Sequence, residues 1–180
     1  MPAISDEIDL GQLGLKPGGG TRFDIAVRIG EFVFGEQRYS LADDPAIAQL
    51  DVSRTSSGYV ARIRFEPEIE GPCMRCSDDF GLRLEIDHSE VHEPYLDEEL
   101  ASEYVTDNKL DISALTRDVI VLALPTSISG PIDAEGSCGA CDRSVADLAA
   151  LGIAGVVDPV ESQAEPAPDP RWAKLRELEL

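Results

Sequence analysis

Apolar residues fall at every second position over several stretches of this 180-residue chain. Phe23, Ile25, Val27 and Ile29 alternate with Asp24, Ala26, Arg28 and Gly30, the period of a half-buried strand. The clearest alternation comes later. Tyr59, Ala61, Ile63, Phe65 and Ile69 point one way, and Val60, Arg62, Arg64, Glu66 and Glu70 the other. Pro67 cannot donate to a ladder, so it predicts an edge position or a bulge near the strand's end. Beyond Gly71-Pro72 and Ser77-Asp78-Asp79 the pattern resumes, with Phe80, Leu82, Leu84 and Ile86 inward and Arg83, Glu85 and Asp87 outward. These two runs predict a long antiparallel hairpin. Between the first and second alternations, Glu31 to Leu41 reads as another strand or a bulged continuation around Gly35. Asp43-Asp44-Pro45 is a turn, and Ala48 to Arg54 a strand closed by Ser56-Ser57-Gly58.

The period then changes to that of a helix. Asp111 is placed as the N-cap of a helix to Leu124, with Ile112, Leu115, Val119, Leu122 and Ala123 as its core stripe and Pro125 as its stop. One or two helical turns are expected over Val145 to Leu151. The expected fold class is α+β, mainly antiparallel sheet with a few helices. Residues 1–20, ending in Lys16-Pro17-Gly18-Gly19-Gly20, read as a flexible lead, and 21–154 as a single domain. Residues 155–168, rich in Pro, Glu and Ala, read as a disordered linker, and 169–180 as a C-terminal helix opened by Asp169 and Pro170. Trp172 and Leu175 share a face of that helix, either as a clip back onto the domain or as a partner anchor.

Charge narrows the function. With 35 acidic and 15 basic residues the net charge is -20, and three of the basic residues are Lys. Nucleic-acid binders draw most of their non-specific affinity from Lys and Arg on phosphates, so a basic protein partner is expected above bare RNA. From Glu85 to Asp111 acidic residues crowd a stretch with one Lys, which reads as a solvated loop or an exposed helix face, or else as a docking surface for such a partner. Met1 to Leu15 has no basic, apolar leader pattern and no run is long enough for a membrane span, so a soluble, cytoplasmic protein is expected.

The four cysteines carry the clearest chemistry. Cys73-Met74-Arg75-Cys76 and Cys138-Gly139-Ala140-Cys141 are two Cys-x-x-Cys turns, the ligand spacing of a zinc knuckle. The expectation is one structural zinc ion on Cys73, Cys76, Cys138 and Cys141, with the sulfurs roughly 4 Å apart. The alternatives are four reduced thiols, or a disulfide in each turn acting as a redox-responsive switch. A redox Cys-x-x-Cys opens a helix, whereas the first pair here is flanked by strands, which favours metal. Arg75 and Arg143 are placed to offset the negative charge of four thiolates. His88 and His92 read as exposed polar residues rather than ligands. A closed site lacks the open position that catalysis needs, and neither a nucleophile elbow nor a phosphate loop is present in the sequence, so no enzyme activity is expected.

The order of these motifs resembles the YceD family, the large ribosomal RNA subunit accumulation proteins. The matching residues are Cys73-Met74-Arg75-Cys76, Leu122-Ala123-Leu124-Pro125, Gly136-Ser137-Cys138-Gly139-Ala140-Cys141 and Asp169-Pro170-Arg171-Trp172. The resemblance implies a non-enzymatic factor for accumulation of large-subunit ribosomal RNA, acting with a basic large-subunit ribosomal protein or an assembly precursor. Two positions depart from the family pattern. Ala134 stands where many relatives have a further cysteine, and Asp142-Arg143-Ser144 replaces the Gly and Asn that often follow the second turn.

Overall fold

A computed structural model describes residues 4–93 and 100–152, and places eleven strands and two helices among them. All strand pairing within the sheets is antiparallel. Strands β2 (Gly20–Val27), β5 (Ala46–Arg54), β6 (Tyr59–Phe65) and β9 (Ile86–His92) form one four-stranded sheet in the order β2-β5-β6-β9. Strands β3 (Phe32–Phe34), β4 (Gln37–Leu41), β7 (Glu68–Pro72) and β8 (Asp79–Arg83) form a second, ordered β3-β4-β7-β8. A small third sheet joins β1 (Glu7–Asp9), β11 (Lys109–Asp111) and β10 (Val105–Thr106). The mixture of antiparallel sheets with helices α1 (Ile112–Ala123) and α2 (Val145–Ala150) is the expected α+β class.

The long hairpin is present, but it belongs to two sheets. Tyr59 opposes His92, Phe65 opposes Ile86, Glu68 opposes Arg83 and Pro72 opposes Asp79, one register from base to tip. The run expected as a single strand from Tyr59 to Glu70 breaks at Glu66-Pro67, where the Leu84 N–H donates to the Pro67 carbonyl at 2.9 Å. Before the break β6 pairs with β5; after it β7 pairs with β4. Pro67 lacks the N–H that a second neighbour would need, so the partner changes there.

Three further expectations are corrected. The segment Glu31 to Leu41 is two strands joined across Gly35, whose φ of 63° is the left-handed turn geometry that splits it. Residues 4–20 are not a free lead: Ile8 and Leu10 are buried, and β1 pairs with β11. Part of the acidic stretch is likewise ordered, because Asp107 and Asn108 both take positive φ and close the β10–β11 hairpin. In α1 the Asp111 side chain accepts from the Ala114 N–H at 2.8 Å as the expected N-cap. Its buried stripe is Ile112, Leu115, Thr116, Val119 and Ile120, while Leu122 and Ala123, expected inside, are exposed along with Val121. The expected linker over 155–168 and helix over 169–180 lie outside the described residues.

One core lies between the sheets and α1, built from residues such as Leu50, Ile63, Leu115 and Ile120. Arg117 fastens the helix to the turn before β3, donating to the carbonyls of Ile29 (2.8 Å) and Glu31 (2.9 Å) with its guanidinium over the Phe32 ring. Tyr39 fixes the far end of the hairpin. Its hydroxyl donates to the Pro72 carbonyl at 2.8 Å, and its ring lies so close to Gly71 that a Cβ there would sit 2.4 Å away. The hairpin tip is thus held from below by a buried aromatic ring.

Candidate metal centre

Residues 73–77 cap the hairpin between β7 and β8. The Cys73 N–H donates to the Asp78 carbonyl (2.9 Å) and the Ser77 N–H to the Cys73 carbonyl (2.8 Å), with Ser77 at a φ of 62°. The second turn repeats this geometry. The Cys138 N–H donates to the Arg143 carbonyl (2.9 Å), the Asp142 N–H to the Cys138 carbonyl (2.7 Å), and Asp142 has a φ of 58°. Both cysteine turns are therefore the same knuckle, each followed by a residue in the left-handed region. A glycine suits that position, and Asp142 occupies it at some cost in strain.

The knuckles face each other. Cys138 Sγ lies 3.9 Å from Cys73 Sγ and 3.8 Å from Cys76 Sγ. Four sulfurs about 2.3 Å from one tetrahedral centre are about 3.8 Å apart, so these separations fit one zinc-sized ion. The ligand atoms of Cys73, Cys76 and Cys138 lie within 4.8 Å of one another, as do those of Cys76, Asp78 and Cys141. Cys76 is common to both groups, and through it Cys141 closes the cluster. Cys73, Cys76 and Cys138 are buried, whereas Cys141 is part-exposed. Leu148 of α2, Phe80 and Ala140 pack around the sulfurs. The four cysteines thus form a group that can hold a metal.

The surrounding donors suit thiolates. Backbone N–H groups of Arg75 and Gly130 point to Cys73 Sγ, each at 3.4 Å. The Arg75 guanidinium donates to Cys138 Sγ at 3.5 Å while bonding the Gly130 carbonyl at 2.8 Å. Burial pushes the Cys76 thiol up to about 12. Burial also opposes ionisation of Cys138, but the Ala140 N–H and the Arg75 guanidinium together hold it below the ordinary thiol value. Cys141 is likewise held low against burial, chiefly by the Arg143 N–H and the neighbouring Cys76. A divalent cation bound here would take the place of the protons that such a cluster otherwise shares.

Sequence reasoning placed Arg75 and Arg143 correctly beside the cysteines, but missed two parts of the site. Asp78 is ion-paired with Arg143, and each stands two residues after the last cysteine of its knuckle. The repeated spacing was the available signal. The segment from Ile128 to Pro131 is a wall between the knuckles. The Met74 N–H donates to the Ile128 carbonyl (2.8 Å) and the Gly139 N–H to the Pro131 carbonyl (2.7 Å). Gly130 is required there, since a Cβ would lie 2.7 Å from the Ala140 backbone nitrogen. His88 and His92 are not exposed as expected but half-buried on β9, towards the hairpin's base. His92 Nδ1 accepts from the Ser102 N–H at 3.2 Å, and burial lowers its pKa below the usual value.

Elsewhere most of the described cations are engaged within the fold. On the outer face of the first sheet Arg22 and Arg64 pair with Asp51, and Arg62 pairs with Asp87. Arg38, Arg83 and Lys109 are also ion-paired, and Arg54 covers the Tyr59 ring. No helix among the described residues is long and apolar enough to cross a membrane.

Among known families, one described as large ribosomal RNA subunit accumulation protein YceD matches residues 61–179. It spans both knuckles and well over half of the chain. No curated protein and no solved structure matches.

Proposed function

The chain belongs to the YceD family, and on that footing we propose that it is a non-enzymatic factor for accumulation of large-subunit ribosomal RNA through assembly of that subunit. In this reading one structural zinc ion on Cys73, Cys76, Cys138 and Cys141 locks the domain, and a basic large-subunit protein or assembly precursor is the partner. The observation that carries the zinc assignment is the pair of like knuckles with sulfurs 3.8 and 3.9 Å apart. Four protein ligands leave no coordination position for a substrate, which supports a structural rather than a catalytic ion. The net charge of -20, with most described cations already paired within the fold, supports a protein partner over bare RNA.

Metal analysis of chelator-free protein should give about one zinc per chain. Cys73→Ser and Cys141→Ser should each melt below the parent and leave cells short of mature large subunits and their ribosomal RNA. Metal-free protein with an unchanged melt would overturn the zinc assignment. Stable, abundant variants with normal subunit levels would overturn the assembly role.

A further inference from the structure

Leu122, in the last turn of α1, continues the core stripe, but among the described residues it stays largely uncovered. Leu122 lies three positions beyond the buried Val119, yet 78% of it is exposed. Beside it Leu100 is 41% exposed, and together with Val119, Tyr104, Glu90 and Glu103 these residues line an open groove of about 510 Å³ between α1 and β9. Its floor is apolar and its rim acidic. Glu90 and Glu103 edge it, and the Tyr104 hydroxyl donates to the Asp118 carboxylate at 3.0 Å.

The chain itself carries a segment of the opposite character. Of fifteen basic residues in the whole sequence, Arg171, Lys174 and Arg176 fall within six positions near its end. Between and beside them stand Trp172 and Leu175, an aromatic and an aliphatic residue three apart. We propose that the groove between α1 and β9 is the intramolecular seat of the terminal segment Asp169–Leu180, with Trp172 and Leu175 against Leu122 and Leu100 and the basic residues against Glu90 and Glu103. Trp172 lies twenty residue steps beyond Gly152, enough to span up to roughly 70 Å when extended, so the segment reaches any face of a domain this size. A tether of that length also holds its end near the groove at about millimolar effective concentration. Two apolar anchors and a few ion pairs then suffice.

Trp172 is the sole tryptophan, so its fluorescence reports the contact directly in the full chain. The expected result is an emission maximum blue-shifted from that of the denatured chain, protection from acrylamide, and no change on dilution. Leu122→Asp and Glu103→Lys each alter an exposed side chain, so the domain should keep its far-ultraviolet circular dichroism. Both should move the emission toward the denatured value and lose the protection. The comparable exposed residue Leu151 lies outside the groove, and Leu151→Asp should leave the emission unchanged. Three results overturn the proposal: a solvent-exposed Trp172 in the parent, a blue shift that survives Leu122→Asp, or one that disappears on dilution and so comes from a second copy. Release by Leu151→Asp alone would place the segment on α2 and also refute it.

Discussion

Replacing Gly130 by alanine tests whether the wall between the knuckles holds the metal centre in shape. The new Cβ would lie 2.7 Å from the Ala140 nitrogen, 3.1 Å from its Cβ and 3.2 Å from the Gly139 carbonyl carbon. Two of these three atoms are backbone, so the segment must retreat from the second knuckle instead of a side chain turning aside. Overpacking of this kind costs about 1–3 kcal/mol. The retreat also stretches the Gly130 N–H bond to Cys73 Sγ and the Arg75 bond to the Gly130 carbonyl, each worth about 0.5–1.5 kcal/mol. Against this, alanine restricts the unfolded chain and returns about 0.4–1 kcal/mol, because Gly130 does not need the left-handed region. With the two bonds weakened rather than broken, the net loss is about 1–3 kcal/mol, and for a domain of this size the melting temperature should fall by roughly 2–12 °C. Thermal melts of metal-loaded parent and variant measure it, with release of the ion to a competing chelator as a second readout. In chelator-stripped protein the gap between the two should shrink, since the second knuckle then has no ion to hold it against the wall. Equal melts in the loaded state, or an equal gap in both states, would refute the reasoning.

Asp142→Gly should raise the melting temperature slightly or leave it unchanged. Relief of the left-handed backbone is worth about 1 kcal/mol and is partly cancelled by the entropy of a freer unfolded chain; a clear loss of stability would mean that the Asp142 side chain, not its backbone, is what the turn uses. The carboxylates of Asp51, beside Arg22 and Arg64, and Asp87, beside Arg62, are held below the usual carboxylate range. Because their folded pKa values are depressed, their contribution is present above the unfolded value near 3.8 and is lost as pH falls through the folded values. Urea melts of the parent from about pH 5 downward should therefore lose stability more steeply than those of Asp51→Asn; parallel profiles would show that the pairing adds nothing.

The hairpin and its two cysteines were legible because alternation from Tyr59 to Ile86 is a local signal, and a Cys-x-x-Cys turn is four residues long. The split into two sheets was not, since the partner of a strand is chosen by residues far away, β5 for β6 and β4 for β7. Pro67 marked the place without revealing the exchange. Around strand β1 only Ile8 and Leu10 stand two apart, which is too brief a pattern to separate a strand from a free lead. On α1 the spacing of Leu122 fits the stripe, but where a helix outruns its packing partner depends on sheet width. The wall from Ile128 to Pro131 was hidden for another reason. It bonds the knuckles through main-chain groups, and main-chain groups leave little trace in residue identity.

The separation of the two knuckles also sets an order in time. Cys73 and Cys138 are 65 residues apart, so a chain emerging from the ribosome presents half a chelate long before the other half exists. At synthesis rates of about 5–20 residues per second the wait is roughly 3–13 s. During that interval two thiolates can hold an ion only loosely, while the first sheet, whose last strand ends at His92, becomes complete in sequence. A zinc ion on all four sulfurs would therefore act as a final latch rather than as a seed. It would reward only those chains in which the hairpin has formed and synthesis has passed Cys141.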